Sequence, residues 1–334
     1  MSLPDIRFCP GTLSEGHASY SPTSLKRMFG GKLVSHVLPF NLKTPDDKTQ
    51  ELLLENRKQM SISGYQEKLS LVLEKNKLRL TAYGEQGGYI LKPPPRDLKR
   101  VGDFPANEHL TMQIARQVYG IDTAENALIF SADGTPCYIT KRFDVKQGGG
   151  KWAVEDFASL AGRTQENAGD NFKYDFSYEE IAGLIQRYLP AWRVEVERFF
   201  RLVVFNYLFS NGDAHLKNFS VIETRDGDFV LSPAYDLVDS RLHLTDTDFA
   251  LTKGLFADTV LVKYSTPPDP ATGKDFREFG KRIGVMSTRL DKLLQPFIDP
   301  QPKVVDMVGR SFLSDSSRSS YLKHYRTRRN NLER

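Results

Sequence analysis

The chain has 334 residues, 40% of them hydrophobic and 26% charged, with 46 Lys/Arg against 42 Asp/Glu for a net charge of +4. That length exceeds what one core usually fills, so two lobes are expected, with the composition of an ordinary soluble protein. No stretch is apolar for long enough to span a membrane, MSLPDIRFCP has no leader-like pattern, and two cysteines, Cys9 and Cys137, suit a reducing cytoplasm.

In chain order, residues 1–60 are mixed, with short helices expected around Ser24–Phe29 and Lys48–Lys58. Strands follow at 70–73 and 77–81 about a turn at Glu74-Lys75-Asn76, then at 88–92, stopped by Pro93-Pro94-Pro95. Residues 107–119 have helical spacing in Leu110, Ile114 and Val118, and 127–130 with 137–140 form a hairpin about Ala132-Asp133-Gly134. After the loop Lys146–Gly150 helical patterns dominate. Apolar residues at 196, 199, 200, 203, 204, 207 and 208 make one stripe, with Glu195 and Arg198 off it. A second hairpin is expected from 219–222 and 229–232 about Arg225-Asp226-Gly227. Residues 310–334 hold seven Lys/Arg against Asp315 and Glu333. After the loop-like run Ser314–Ser320 this reads as a solvated closing helix, with a nucleic-acid or acidic-partner contact as the alternative. The whole is an α+β chain, sheet-rich first (1–143) and mainly helical second (144–334).

Between the apolar helix and the second hairpin stands NGDAHLKNFS. Asp213 and Asn218 are five apart, and Asp236 follows at the end of the hairpin. Phosphoryl transfer needs such a set: one carboxylate to orient the attacking hydroxyl, and an Asn oxygen with a second carboxylate to hold Mg²⁺ against nucleotide phosphates. His215 and Lys217 lie on the same loop, where a cation contact with phosphate is expected. The D-x-x-x-x-N pattern also occurs in plain turns whose Asp and Asn only satisfy backbone donors. Two further features fit the chemistry. Lys92 ends a strand and Glu108 begins the next helix, as a phosphate-gripping cation and the acid that holds it. Ser61-Ile62-Ser63-Gly64 offers small residues ahead of the first strand, where backbone N–H groups can approach an anion.

In order, SISGYQEK, YILKPPP, ITKRFD, NGDAHLKNF and PAYD resemble the HipA-type bacterial toxin kinases. The resemblance spans roughly Ser61 to Asp236, with further similarity toward residue 295. It implies a two-lobed protein-kinase-like fold and an ATP-dependent serine/threonine kinase that belongs to a toxin–antitoxin module and arrests translation by modifying an aminoacyl-tRNA synthetase. Asp213 then matches the catalytic aspartate, Asn218 and Asp236 the Mg²⁺ ligands, and Lys92 the nucleotide-phosphate lysine. Lys141, Arg142 and Phe143 match the hinge strand at adenine, Asp144 the position beside the ribose, and Tyr235 of PAYD falls in the nucleotide site. Ser63, Gly64, Tyr65, Gln66, Glu67 and Lys68 match the loop over the phosphates, and Ser61, with Ser63 beside it, the autophosphorylated serine.

Longer HipA proteins carry a further small subdomain ahead of that loop, and only sixty residues precede Ser61 here. The chain is more similar to the short HipT form, which implies a separate HipS-like antitoxin and a HipB-like DNA-binding antitoxin, with DNA reached only through the latter. Two other readings fit less of the sequence. A small-molecule or lipid kinase would share D-x-x-x-x-N but not SISGYQEK, and a partner-binding pseudokinase would lack a metal ligand or the nucleotide lysine.

Overall fold

A computed structural model describes residues 6–59, 66–146, 148–258 and 270–334. The chain divides into two compact units, one of residues 1–114, 124–145 and 303–319, the other of residues 115–123, 146–302 and 320–334.

The first unit is built on an antiparallel sheet of β1 (Leu69–Glu74), β2 (Lys77–Leu80), β3 (Tyr89–Lys92), β4 (Asn126–Phe130) and β5 (Pro136–Lys141), in the order β2-β1-β3-β5-β4. Leu71 lies opposite both Leu80 and Tyr89, Leu91 opposite Ile139, and Ile129 opposite Cys137. Residues directly opposite share a face, so alternate positions on all five strands make one apolar surface. Helices α1 (Pro22–Phe29) and α2 (Asp47–Gln59) contribute Met28, Phe29 and Leu53 to the same core. The start of α1 is written in its sequence: the Ser21 hydroxyl accepts the Ser24 N–H, Pro22 opens the first turn, and Gly30 closes it at φ 63°. Lys92, one residue out of phase with Leu91, belongs to the opposite face, where α3 (Phe104–Gln117) brings Glu108.

In the second unit β6 (Val154–Asp156), β7 (Ser220–Glu223) and β8 (Phe229–Leu231) form a small antiparallel sheet in that order. Its helices are the short α4 (Phe157–Leu160) and α5 (Gln165–Ala168), then α6 (Tyr178–Tyr188), α7 (Trp192–Leu208), α8 (Gly273–Arg282) and α9 (Ser287–Ile298). The stripe expected on α7 is buried throughout, from Val196 to Leu208. Glu195, which the spacing places off that stripe, is buried too: its carboxylate accepts the Leu231 N–H of β8 at 2.9 Å and pairs with Arg198 at 3.0 Å. A buried carboxylate persists only when so partnered.

After α10 (Pro302–Arg310), α11 runs from Asp315 to Leu332. The serine run read as loop is therefore its first turn. The Ser314 hydroxyl accepts the Ser317 N–H at 3.4 Å, and Asp103 takes the Ser314 N–H at 2.8 Å and the Ser317 hydroxyl at 2.7 Å. Nor is α11 simply solvated. Tyr321, Tyr325, Arg328 and Leu332 make a buried stripe at helical spacing, with the two tyrosine rings 5.9 and 5.3 Å from Phe209. Among the described residues no helix is long and apolar enough to cross a membrane.

Candidate functional site

The C-terminal end of α7 leads into the loop that carries the expected chemistry. Ser210 turns the chain at φ 53°, and the Asn211 side-chain amide donates to Asn206 Oδ1 at 2.9 Å and to the Asp236 carbonyl at 3.3 Å. Gly212 is required by space. Its N–H donates to Ser240 Oγ at 2.9 Å, and a Cβ there would fall 2.5 Å from Asp246 Cγ and 2.6 Å from the Thr247 carbonyl. This close approach fixes where Asp213 emerges.

Asp213 is mostly enclosed. Tyr174 donates its hydroxyl to Oδ1 at 2.9 Å. Burial pushes the carboxyl up to about 6, against the Tyr174 bond and Lys173, with Asp246 and Asp236 adding repulsion. The His215 N–H donates to the Asp213 carbonyl at 2.8 Å and to Asn218 Oδ1 at 3.1 Å, which tightens the turn from Asp213 to Asn218. The His215 imidazole is itself buried, edge-on to Tyr174 at 5.1 Å, and burial with help from Lys173 pushes it down to about 3. It is neutral at physiological pH and brings no charge to the site.

Asn218 and Asp236, eighteen residues apart, meet: Asn218 Nδ2 lies 3.5 Å from Asp236 Oδ2. Asp236 holds a left-handed backbone at φ 56°, costly for a residue with a Cβ and maintained here by the Asn211 bond to its carbonyl. Asn218 turns Nδ2 to the Asp236 carboxylate and Oδ1 to the His215 N–H, and an amide oxygen and a carboxylate are the hard donor types that Mg²⁺, completed by phosphate and water, commonly takes. The donor set fits that ion. Among the described residues no group of three or more His, Cys, Asp or Glu is arranged as a denser metal cage. Lys217 reaches Asp156 at 3.4 Å, and Tyr235 is half-buried, donating to the Lys217 carbonyl at 2.9 Å and sharing a hydrogen bond with Ser220 at 2.5 Å.

In the first unit Lys92 and Glu108 form a buried ion pair at 2.7 Å, their side chains 6% and 2% exposed, with the ammonium 5.3 Å from the Tyr138 ring centre. Register puts Tyr138 directly across from Lys92, so the strand pairing supplies that ring. Gln66 donates to the Pro93 carbonyl at 2.7 Å, which ties the segment entering β1 to the residue after Lys92. Glu67 and Lys68 are half-buried beside it. Lys141 ends β5, the Arg142 N–H donates to the Gly88 carbonyl at 2.9 Å, and the Arg142 guanidinium takes Asp144 at 2.9 and 2.5 Å, with Phe143 half-buried between them. Ser61, Ser63, Gly64 and Tyr65 lie outside the described residues.

Each unit thus assembles its own share of the expected residues. Tyr174, Ser240 and Asp246 were not foreseen. Tyr174 is 39 positions from Asp213, and nothing in a lone tyrosine signals such a partner. For Ser240 and Asp246 the only available signal is Gly212, since a glycine at the mouth of a polar turn implies that something packs against it.

The model of the HipA-like C-terminal domain matches residues 60–303. A Haemophilus influenzae protein named "Putative kinase" is 29% identical, the alignment covering 97% of this chain and 96% of the relative. "Putative kinase Y4dM" of Sinorhizobium fredii is 30% identical over 68% of this chain and 56% of its own length. Among solved structures, a chain of the Shewanella oneidensis complex of HipA, HipB and operator DNA superposes with a TM-score of 0.61 at 18% identity. That match covers 81% of this chain, which spans 63% of the solved one. At such low identity it establishes the fold, the kinase-like HipA fold expected from the motifs. The chain belongs to the family of the HipA-like C-terminal domain.

Proposed function

We propose that the chain is an ATP- and Mg²⁺-dependent serine/threonine protein kinase of the HipT type, the toxin of a toxin–antitoxin module. One observation carries the reading: a single loop and hairpin of the second unit gather Asp213, Asn218 and Asp236, the last two within 3.5 Å. Asp213 would accept the proton of a substrate serine hydroxyl and orient it for in-line attack on the γ-phosphate. A carboxyl raised to about 6 is still ionised at neutral pH, yet more basic than a surface aspartate. Tyr174 holds its Oδ1 and so leaves the second oxygen to face the hydroxyl. Asn218 and Asp236 would hold Mg²⁺, which when bound supplies neutralisation of the phosphate charge.

Lys92, aimed by Glu108, would contact the nucleotide phosphates. Lys141, Arg142 and Phe143 would meet adenine and Asp144 the ribose. Ser63 to Lys68 would cover the phosphates, with His215 as a neutral partner, Lys217 as a cation and Tyr235 as the strut under the Lys217 turn. Ser61 and Ser63 are proposed autophosphorylation sites, where added charge would push the loop away from the triphosphate. The substrate class is an aminoacyl-tRNA synthetase, the partners are HipS-like and HipB-like antitoxins, and the site of action is the cytoplasm. The HipA–HipB–operator complex of the structural relative supports the HipB-like partner. Expression of the chain alone should arrest growth and raise serine phosphorylation on one synthetase by quantitative phosphoproteomics, with Asp213→Asn silent in both. Growth arrest without any new phosphoserine would refute the kinase assignment.

A further inference from the structure

We infer that the C-terminal helix α11 positions the catalytic loop, with Arg328 and His324 as positioning residues that act through the segment 239–248. The contacts form a continuous chain within the second unit. The Arg328 guanidinium, 4% exposed and 4.6 Å from the Tyr207 ring centre of α7, grips Asp248 with two bonds of 2.5 and 2.6 Å. Asp248 also takes Arg241 at 2.7 Å, and Arg241 donates to the Asp246 carbonyl at 3.2 Å. The Asp246 carboxylate accepts the Ser240 hydroxyl at 2.7 Å, and Ser240 Oγ in turn accepts the Gly212 N–H at 2.9 Å, one residue before Asp213. A second tie runs beside the first: His324 Nδ1 lies 2.8 Å from Asp239 Oδ2, whose side chain is 2% exposed and adjacent to Ser240.

Several features show that this chain bears on geometry and not only on cohesion. The Asp246 carboxylate sits where any side chain on residue 212 would be, so a shift of Asp246 is a shift of the loop backbone. The Tyr321 and Tyr325 stripe seats α11 on Phe209 at the end of α7, so the helix and the loop that follows it share one support. A bidentate Arg–carboxylate pair fixes direction as well as distance. Misplacement of a reacting group by about 1 Å is enough to cost on the order of a hundredfold in rate.

The inference rests on the phosphotransferase reading of Asp213, and its test separates the two. The full-length chain would be prepared as wild type, Arg328→Met, Ser240→Ala and the double variant, with Asp248→Asn as a milder break of the same grip. Mg·ATP turnover gives kcat and KM for ATP, and hydrogen exchange resolves the Gly212 amide against the amides of α7. The expected result is a kcat lowered about tenfold with KM for ATP within about twofold. The double variant should be no slower than the slower single variant, because both break one chain. Gly212 exchange should rise while α7 exchange holds. Unchanged kcat in folded Arg328→Met or Asp248→Asn, multiplied effects in the double variant, or faster exchange spread over α7 would overturn it. If Arg328→Met does not fold, Asp248→Asn carries the same comparison. Absence of turnover in the wild type would overturn the kinase reading, and Gly212 exchange alone would then decide whether α11 braces the loop.

Discussion

Asp213→Asn should make the nucleotide-free protein more stable while removing its chemistry. Burial lifts this carboxyl from its ordinary 3.8 to about 6, so keeping it ionised at pH 7.5 costs folding about 3 kcal/mol. Asparagine has the same shape, retains an oxygen for the Tyr174 hydroxyl, and carries no charge to bury. The sign follows from which state binds the proton more tightly. The folded carboxyl does, so the penalty is complete above about pH 6, fades as pH falls, and is gone below 3.8. At pH 5 the advantage of the variant should shrink to ~1.6 kcal/mol. Denaturant unfolding with EDTA present and nucleotide absent, at pH 7.5 and pH 5, measures both values. A variant no more stable than wild type at pH 7.5, or one whose advantage grows toward pH 5, would refute the reasoning.

Three other outcomes are expected. Breaking the buried pair with Glu108→Gln removes the carboxylate that Lys92 Nζ meets at 2.7 Å and should cost about 3–5 kcal/mol, whereas the Lys92→Met/Glu108→Leu double variant should recover most of that loss in denaturant melts. Gly212→Ala drives a Cβ into Asp246 and the Thr247 carbonyl and should cost about 1–3 kcal/mol along with ATP turnover, while the exposed Gly227→Ala, strained only by its φ of 84°, should leave turnover intact. His109 is buried and held down to about 4, so the unfolded chain takes the proton first. The stability of the wild type relative to His109→Gln, a comparison in which the opposing Asp213 contribution cancels, should fall by about 2.6 kcal/mol as pH drops from 6.5 to 4, or the burial argument is wrong.

How much was legible in the sequence depended on how local the cause was. The strands around 69–92 and 126–141 and the stripe of α7 announce themselves by period, because one buried face dictates every second or every third and fourth residue. The cluster of Asp213, Asn218 and Asp236 was legible for a similar reason, since a loop and one hairpin carry all three. What could not be read was held by distant partners. The three residues of β6 have no alternation of their own and become a strand by pairing with β7. The buried face of α11 consists of two tyrosines, an arginine and a leucine diluted among polar residues, so it reads as solvated until Phe209 and Asp248 are placed against it. Glu195 looked like surface because its partner, the Leu231 N–H, lies 36 residues away.

Phosphoryl transfer by the second unit's carboxylates is the central proposal. Wild type, Asp213→Asn and Asp236→Asn, matched for folding, should be incubated with [γ-³²P]ATP and cell lysate with and without Mg²⁺. Label on protein serine only with the wild type and only with Mg²⁺ is the predicted result. Equal labelling by either variant, or none by a wild type that binds ATP, would contradict it.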